Sequence, residues 1–222
     1  MPKPAFNRAS TARLVGLMVV GVLALAATGY HGTTSAMREG TRGVEASLRS
    51  AELLDLTRSI QVAFKIQVQN WKNLLLRGHA PQDRTLYLGR FDDSDGRVGR
   101  LLSDLASKEG LAPDLAGEVR AIATSHADLG RRYREAFARF RADDPPSTFE
   151  VDASVRGIDQ DLDRRIDAVA ERVLERQRAS TAEVEARLAT RALSLQRMLA
   201  IATGSTLLLF AFLVWRFLSA SG

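Results

Sequence analysis

Two groups of side chains have the types and spacing that could do chemistry. The first lies in Phe64 to Gly78, FKIQVQNWKNLLLRG, where Lys65, Gln67, Gln69, Lys72, Asn73 and Arg77 crowd cationic and amide groups into one short span. Arg156, Arg164 and Arg165 are expected at the same height on a later helix. Guanidinium forks suit carboxylates and other anions, so this set could hold an anionic or polar ligand. Asp159, Asp161 and Asp163 offer it ordinary surface partners instead. The second group is a pair, Ser94 and His126, that interrupts two otherwise apolar seams. Such a layer either fixes helix register or forms a small polar pocket with a titratable imidazole.

Other chemistry finds no residues. His31, His79 and His126 are dispersed with no i, i+4 pair, and cysteine is absent, so no metal site is expected. Asp92-Asp93-Ser94-Asp95-Gly96 looks like a calcium loop, but with glycine in sixth place Phe91 and Leu102 stand where the end ligands belong. These acids read as a solvated helix face. No glycine-rich phosphate loop and no nucleophile–base constellation is present. Carboxylate pairs such as Asp159/Asp163 sit among arginines, where intrahelical ion pairing suffices. The chain reads as a non-enzyme without cofactor.

Helices must position these groups. Phe64, Val68, Trp71 and Leu75 have a 4-3-4 spacing that keeps them on one helical face, and Gly78 supplies a left-handed stop. No proline interrupts Ser35 to His79, so this is the end of a long first helix. Pro81 suits the first turn of a second helix, whose seam is Tyr87, Phe91, Ser94, Val98, Leu101 and Leu105. Gly110 ends it. Pro113 opens a third helix with the seam Leu115, Val119, Ile122, His126, Leu129, Tyr133, Ala136 and Phe140. The seams mirror each other about residue 110, pairing Leu105 with Leu115, Phe91 with Leu129 and Ser94 with His126. This is an αα-hairpin, and its register brings Val68 and Ile166 near the polar pair. After Asp143–Pro146, Ser147 and Glu150 have capping-box spacing. A fourth helix then carries Val155, Ile158, Leu162, Ile166, Val169, Val173, Val184, Leu188 and Leu195 without a break.

Two nearly charge-free runs, Leu14 to Tyr30 and Met198 to Trp215, are just long enough to cross a hydrocarbon core of ~30 Å. The net charge is +5, yet Arg38 to Arg191 holds 26 basic and 26 acidic residues. The whole excess is Lys3, Arg8, Arg13, Arg197 and Arg216, which flank the apolar runs. A nucleic-acid role is thereby excluded, and the positive-inside rule places both termini in the cytoplasm. Absence of cysteine fits a bacterial periplasmic domain. Residues 1–13 read as a cytoplasmic N-terminus, 14–31 and 197–217 as transmembrane helices, 32–196 as the periplasmic domain, and 218–222 as a short cytoplasmic tail. A cleavable signal peptide also fits the first run, and leaves the domain on the same side. The expected fold is all-α: an antiparallel four-helix bundle on two transmembrane helices in the inner membrane, with first and last helices longer than the middle two. Their membrane-near parts form a stalk most simply completed by a second subunit.

Trp71-Lys72-Asn73-Leu74-Leu75-Leu76-Arg77-Gly78, preceded by Phe64-Lys65-Ile66-Gln67-Val68-Gln69, resembles the distal first helix of four-helix-bundle sensor domains in bacterial methyl-accepting chemotaxis proteins. Val155-Arg156-Gly157-Ile158-Asp159 is similar to the start of the family's fourth helix. The resemblance implies a homodimeric periplasmic sensor with a small ligand near the dimer interface, between first and fourth helices. By matching position, Lys65, Trp71, Lys72, Asn73, Arg77 and Arg156 are its candidate ligand-binding residues. It also implies chemotaxis signalling through small displacements of the last helix. Family receptors continue into a long cytoplasmic coil, whereas only Arg216 to Gly222 follow the second run, so output is expected from a full-length chemoreceptor or a separate signalling protein. The alternative is a structural bundle that associates with such receptors and binds nothing small.

Overall fold

A computed structural model describes residues 8–221, and the regular structure among them is α-helical. The elements are α1 (Arg8–Arg77), α2 (Pro81–Ser107), α3 (Pro113–Phe137), α4 (Pro146–Val155) and α5 (Gln160–Ser221). As expected, the outer helices, of 70 and 62 residues, far exceed α2 and α3, of 27 and 25. The chain divides into two compact units, one of Ala46–Thr181 and one of Met1–Glu45 with Ala182–Gly222.

The unit Ala46–Thr181 is a helical bundle around one apolar cluster drawn from every helix. Pro81 and Pro113 occupy the first turns of α2 and α3, where a missing N–H costs nothing. The buried face of α3 is the expected one from Leu115 to Ala136. Two other faces differ by one residue. On α2, Leu102 is buried and Leu101 only partly so. On α1 the buried face is Ile60, Phe64, Gln67, Trp71 and Leu74, with Val68 at the edge of the core. An amide thus stands where an aliphatic side chain was expected. The reason is geometric: at 100° per residue, positions 67 and 68 straddle the centre of the stripe, and only the polar partners across the bundle select between them. Beyond this layer, Trp71 packs on Tyr133 with ring centroids 4.4 Å apart, and Tyr133 meets Phe91 edge-on at 5.8 Å.

The last expected helix is broken. After Val155, Arg156 has ψ 119° and Gly157 has φ +75°, and α5 begins only at Gln160. The left-handed φ is strained for side chains with a Cβ, so glycine makes the break affordable. Asp161 and Asp163 then stand in the first turn of α5, where carboxylates complement the helix dipole. The expected capping box is also absent. Ser147 is buried, and its hydroxyl accepts from the N–H of Arg141 and donates to the Arg141 carbonyl, both at 3.0 Å. His79 closes the same end: Nδ1 donates to the Ala142 carbonyl at 2.8 Å, and Nε2 lies 2.9 Å from the Thr148 hydroxyl. Gly78 ends α1 without a positive φ. What it supplies is space, because a Cβ there would lie 2.4 Å from the Leu74 carbonyl oxygen.

In the second unit the two chain segments run antiparallel. Gly32 lies beside Leu195, Glu39 pairs with Arg191, and Gly43 lies beside Val184. Val19, Val20, Val22 and Leu23 are exposed on α1, as are Met198, Leu199, Ile201, Leu207, Leu208 and Phe210 on α5. Among the described residues, one stretch, within Gln160–Phe212, is long and apolar enough to cross a membrane. Of the flanking charges, Lys3 lies outside the described residues, as do Gly222 and the side chains of Arg8, Arg13 and Arg216.

Replacing Gly157 with alanine is expected to destabilise the bundle by about 1–2 kcal/mol. Gly117→Ala is the control: this helix-interior glycine has open space at its Cβ position, so it should be neutral or stabilising by up to about 1 kcal/mol. Urea unfolding of both variants in detergent, followed by helical circular dichroism, checks the pair. Equal effects would count against a structural role for the positive φ.

Candidate functional site

Three helices bring one polar side chain each to one point of the bundle, two inside the apolar cluster and the third, Asp95, at its edge. His126 of α3 is 3% exposed and Gln67 of α1 is fully buried. The imidazole Nε2 lies 2.8 Å from Gln67 Oε1 and 3.4 Å from Asp95 Oδ1 of α2. Gln67 Nε2 donates to the same Asp95 oxygen at 2.7 Å. The amide orientation settles the tautomer: a carbonyl oxygen can only accept, so Nε2 carries the proton. Asp95 is held from its other side by Arg134, whose Nη2 lies 2.6 Å from Oδ2 and which also reaches Asp92 at 2.9 Å. That guanidinium covers the Phe91 ring at 5.6 Å. Gly130 makes room for the arrangement, since a Cβ there would lie 2.7 Å from Asp95 Oδ1.

The expected polar pair is therefore part of a larger network with different partners. Ser94 is buried, but its hydroxyl turns back to the carbonyls of Arg90 and Phe91, at 2.8 and 2.9 Å, and accepts from Asn70 at 3.3 Å. Sequence reasoning missed Gln67 and Asp95. Gln67 was detectable as the residue three after Phe64 and four before Trp71, on the core face. Asp95 was not, because it belongs to an acidic run read as solvated; Asp92 and Asp93 are exposed, and only Asp95 turns inward.

The six candidate ligand residues have separate settings. Lys65 is exposed and lies 4.0 Å from Asp167 of α5, which also accepts from Gln61 at 2.6 Å. These three, with Arg58 and Glu171, line a groove of about 310 Å³ between α1 and α5. Trp71 is 3% exposed, inside the aromatic core. Lys72 is exposed and Asn73 half-buried. Arg77 donates to the Tyr87 hydroxyl at 2.9 Å and sits 5.5 Å from the centre of that ring. Arg156 pairs with Asp152 one turn earlier on α4, at 2.9 Å. Of the neighbouring cations, Arg164 pairs with Asp161 at 3.2 Å, and Arg165 crosses to Glu118 and Ser125 on α3, both at 3.0 Å.

Burial holds the His126 imidazole below its ordinary pKa of 6.5; Asp95 opposes this and Arg134 adds to it. Because the folded state binds this proton less readily than the unfolded chain, His126 contributes stability above pH 6.5 that is lost as pH falls through its depressed folded value. The unfolding midpoint of the wild-type bundle is therefore expected to fall as pH is lowered from about 7.5 to 5.5. His126→Gln, which cannot titrate, should show a flatter profile. Parallel profiles would remove His126 from the pH response.

No family model matches the sequence, and no solved structure matches it. Among curated proteins, the chain is 31% identical over 156 residues to methyl-accepting chemotaxis protein CtpH of Pseudomonas aeruginosa. The match covers 69% of this chain and 26% of that protein, so the chain spans about a quarter of the length of its relative. The α-helical architecture and the one membrane-compatible stretch among the described residues agree with an identity of this extent: the chain is a distant homologue of a methyl-accepting chemotaxis protein.

Proposed function

We propose that the chain is a membrane-anchored sensor module of chemoreceptor type, acting in chemotaxis signal transduction. The observation that carries this reading is the 156-residue similarity to a protein named as a methyl-accepting chemotaxis protein. In this reading residues 32–196 form a periplasmic four-helix bundle between membrane helices at 14–31 and 197–217, with both termini in the cytoplasm of a bacterial inner membrane. The exposed apolar side chains from Met198 to Phe210 support the second span. The module works as a homodimer. It passes its signal along α5 to a full-length chemoreceptor or another signalling protein.

The ligand is a small molecule held between α1 and α5. The groove beneath Lys65 supports this position, because it offers cations and carboxylates together with the amide of Gln61. Lys72, Asn73, Arg77 and Arg156 are the further residues to test. Trp71 acts through the core, because no ligand reaches a side chain so deeply packed without displacing it.

A second reading is a bundle that associates with other receptors and binds nothing small. It is favoured by one observation: Lys65, Arg77 and Arg156 each already have an intramolecular polar partner. A thermal-shift screen of the full chain in detergent against amino acids, organic acids and amines separates the two. A ligand at a hundred times its Kd stabilises the folded state by about 2.7 kcal/mol, enough for a shift of several degrees, and Lys65→Ala should reduce that shift. No shift anywhere in the panel, together with a mixed dimer trapped by membrane crosslinking, would establish the second reading.

A further inference from the structure

The His126 imidazole stands where two parts of the bundle are tied together. His126 on α3 and Asp95 on α2 belong to the hairpin that turns at Gly110, whereas Gln67 belongs to α1. The single Nε2–H faces two acceptors, Gln67 Oε1 at 2.8 Å and Asp95 Oδ1 at 3.4 Å. With the ring neutral, the shorter contact is the hydrogen bond. The Gln67 amide closes the circuit by donating to the same Asp95 oxygen at 2.7 Å. One amide therefore couples α1 to the hairpin.

The other ring nitrogen is placed to take a proton. In this tautomer Nδ1 carries the lone pair, and it makes no hydrogen bond among the described residues. Gln177 Oε1 is the one sealed side-chain nitrogen or oxygen without a partner among them, so Nδ1 is not sealed and water reaches it. The charges that act on the ring are Asp95 from α2 and Arg134 from α3 itself. α1 faces it with the uncharged Gln67 and with Phe64, whose ring lies edge-on at 6.3 Å. Arg165 of α5, which reaches the neighbouring Ser125, is engaged by Glu118. Asp95 is held in place, because Arg134 grips its other oxygen at 2.6 Å.

Protonation at Nδ1 makes the ring a cation in which both nitrogens donate. A charge-assisted bond to a carboxylate is roughly twice as strong as one to a neutral acceptor, so the Nε2–H passes from Gln67 Oε1 to Asp95 Oδ1. Both members of the new ion pair lie within the hairpin. The Gln67 carbonyl, on a side chain that is 0% exposed, is left without its donor inside the core. That state is costly, and a movement of α1 relieves it.

We propose that His126 is a proton-operated latch: neutral, it ties α1 to the α2–α3 hairpin through Gln67; protonated, it pairs with Asp95 and releases α1. Burial of the imidazole puts the change on the acid side of pH 6.5. The latch needs no ligand in the Lys65 groove, and it stands whether or not the chain senses a small molecule.

The test uses the full chain in lipid bilayers, with 15N in the side chains of histidine and glutamine, followed by solid-state NMR from about pH 7.5 to 4.5. The chain has three histidines, so His31→Gln and His79→Gln assign the His126 signals. His126 should begin with its proton on Nε2 and gain a second on Nδ1, and the Gln67 side-chain signal should shift with the same midpoint. This measurement is made on the wild-type chain and needs no variant at the latch to fold. Because the chain lacks cysteine, spin labels on Gln69→Cys in α1 and Thr124→Cys in α3 form a unique pair when labelled chains are diluted with unlabelled ones. Their distance distribution should change as His126 titrates, and stay constant with pH when His126→Gln is added. A Gln67 signal that stays fixed while His126 takes its proton overturns the proposal, because the bond to α1 then survives. So does an imidazole that remains neutral until the bundle unfolds, or an α1–α3 distance that responds to pH equally in His126→Gln.

Discussion

The buried contact among Gln67, His126 and Asp95 constrains the whole bundle. Three polar groups from three helices meet at an apolar cluster, and leaving any of them unpaired there costs about 1–3 kcal/mol. Sliding one helix by a residue, or rotating it by one position, would separate them. Apolar seams alone do not discriminate so sharply, since Val68 and Leu101 could replace Gln67 and Leu102 with little change in buried hydrocarbon. The network converts a tolerant hydrophobic pattern into one register. Gly130 belongs to the same constraint, because any larger residue would occupy the space of the Asp95 carboxylate.

The candidate ligand residues and part of the core share the same stretch of α1. One face of Phe64 to Gly78 is committed to the core through Phe64, Gln67, Trp71 and Leu74. The other presents Lys65, Lys72 and Arg77 to solvent or to surface partners. The polar network and the groove at Lys65 therefore lie on opposite sides of the same turn of one helix. A ligand that shifted α1 at Lys65 would strain the Gln67–His126 bond two residues away. This gives the bundle a physical means of coupling its surface to its interior, with a titratable group at the join.

Much of the fold could be read from residue spacing. The α2 and α3 seams, the proline starts and the long outer helices follow from heptad periodicity and local backbone chemistry, which act over a few residues. The break at Gly157 was less visible, since an isolated glycine in a helical pattern is usually tolerated, and its positive φ is imposed by how α4 packs. The inward turn of Asp95 could not be seen either: an acidic run is normally solvated, and only Arg134 and Gln67, 39 and 28 residues away in sequence, make its burial affordable.

The division between sequence and tertiary structure follows the range of the forces. By itself the sequence determined the helical class, the turns, the apolar runs at both ends and the neutrality of the segment between them, because these depend on composition and local periodicity. It also placed His126 on a buried seam. Tertiary structure alone decided the imidazole's partners, because which of several polar residues reaches it depends on the rotation of three helices about their axes. It decided too that Asp95 turns inward between Gln67 and Arg134. Those outcomes depend on angstrom-scale distances between segments far apart in the chain, and no local pattern encodes them.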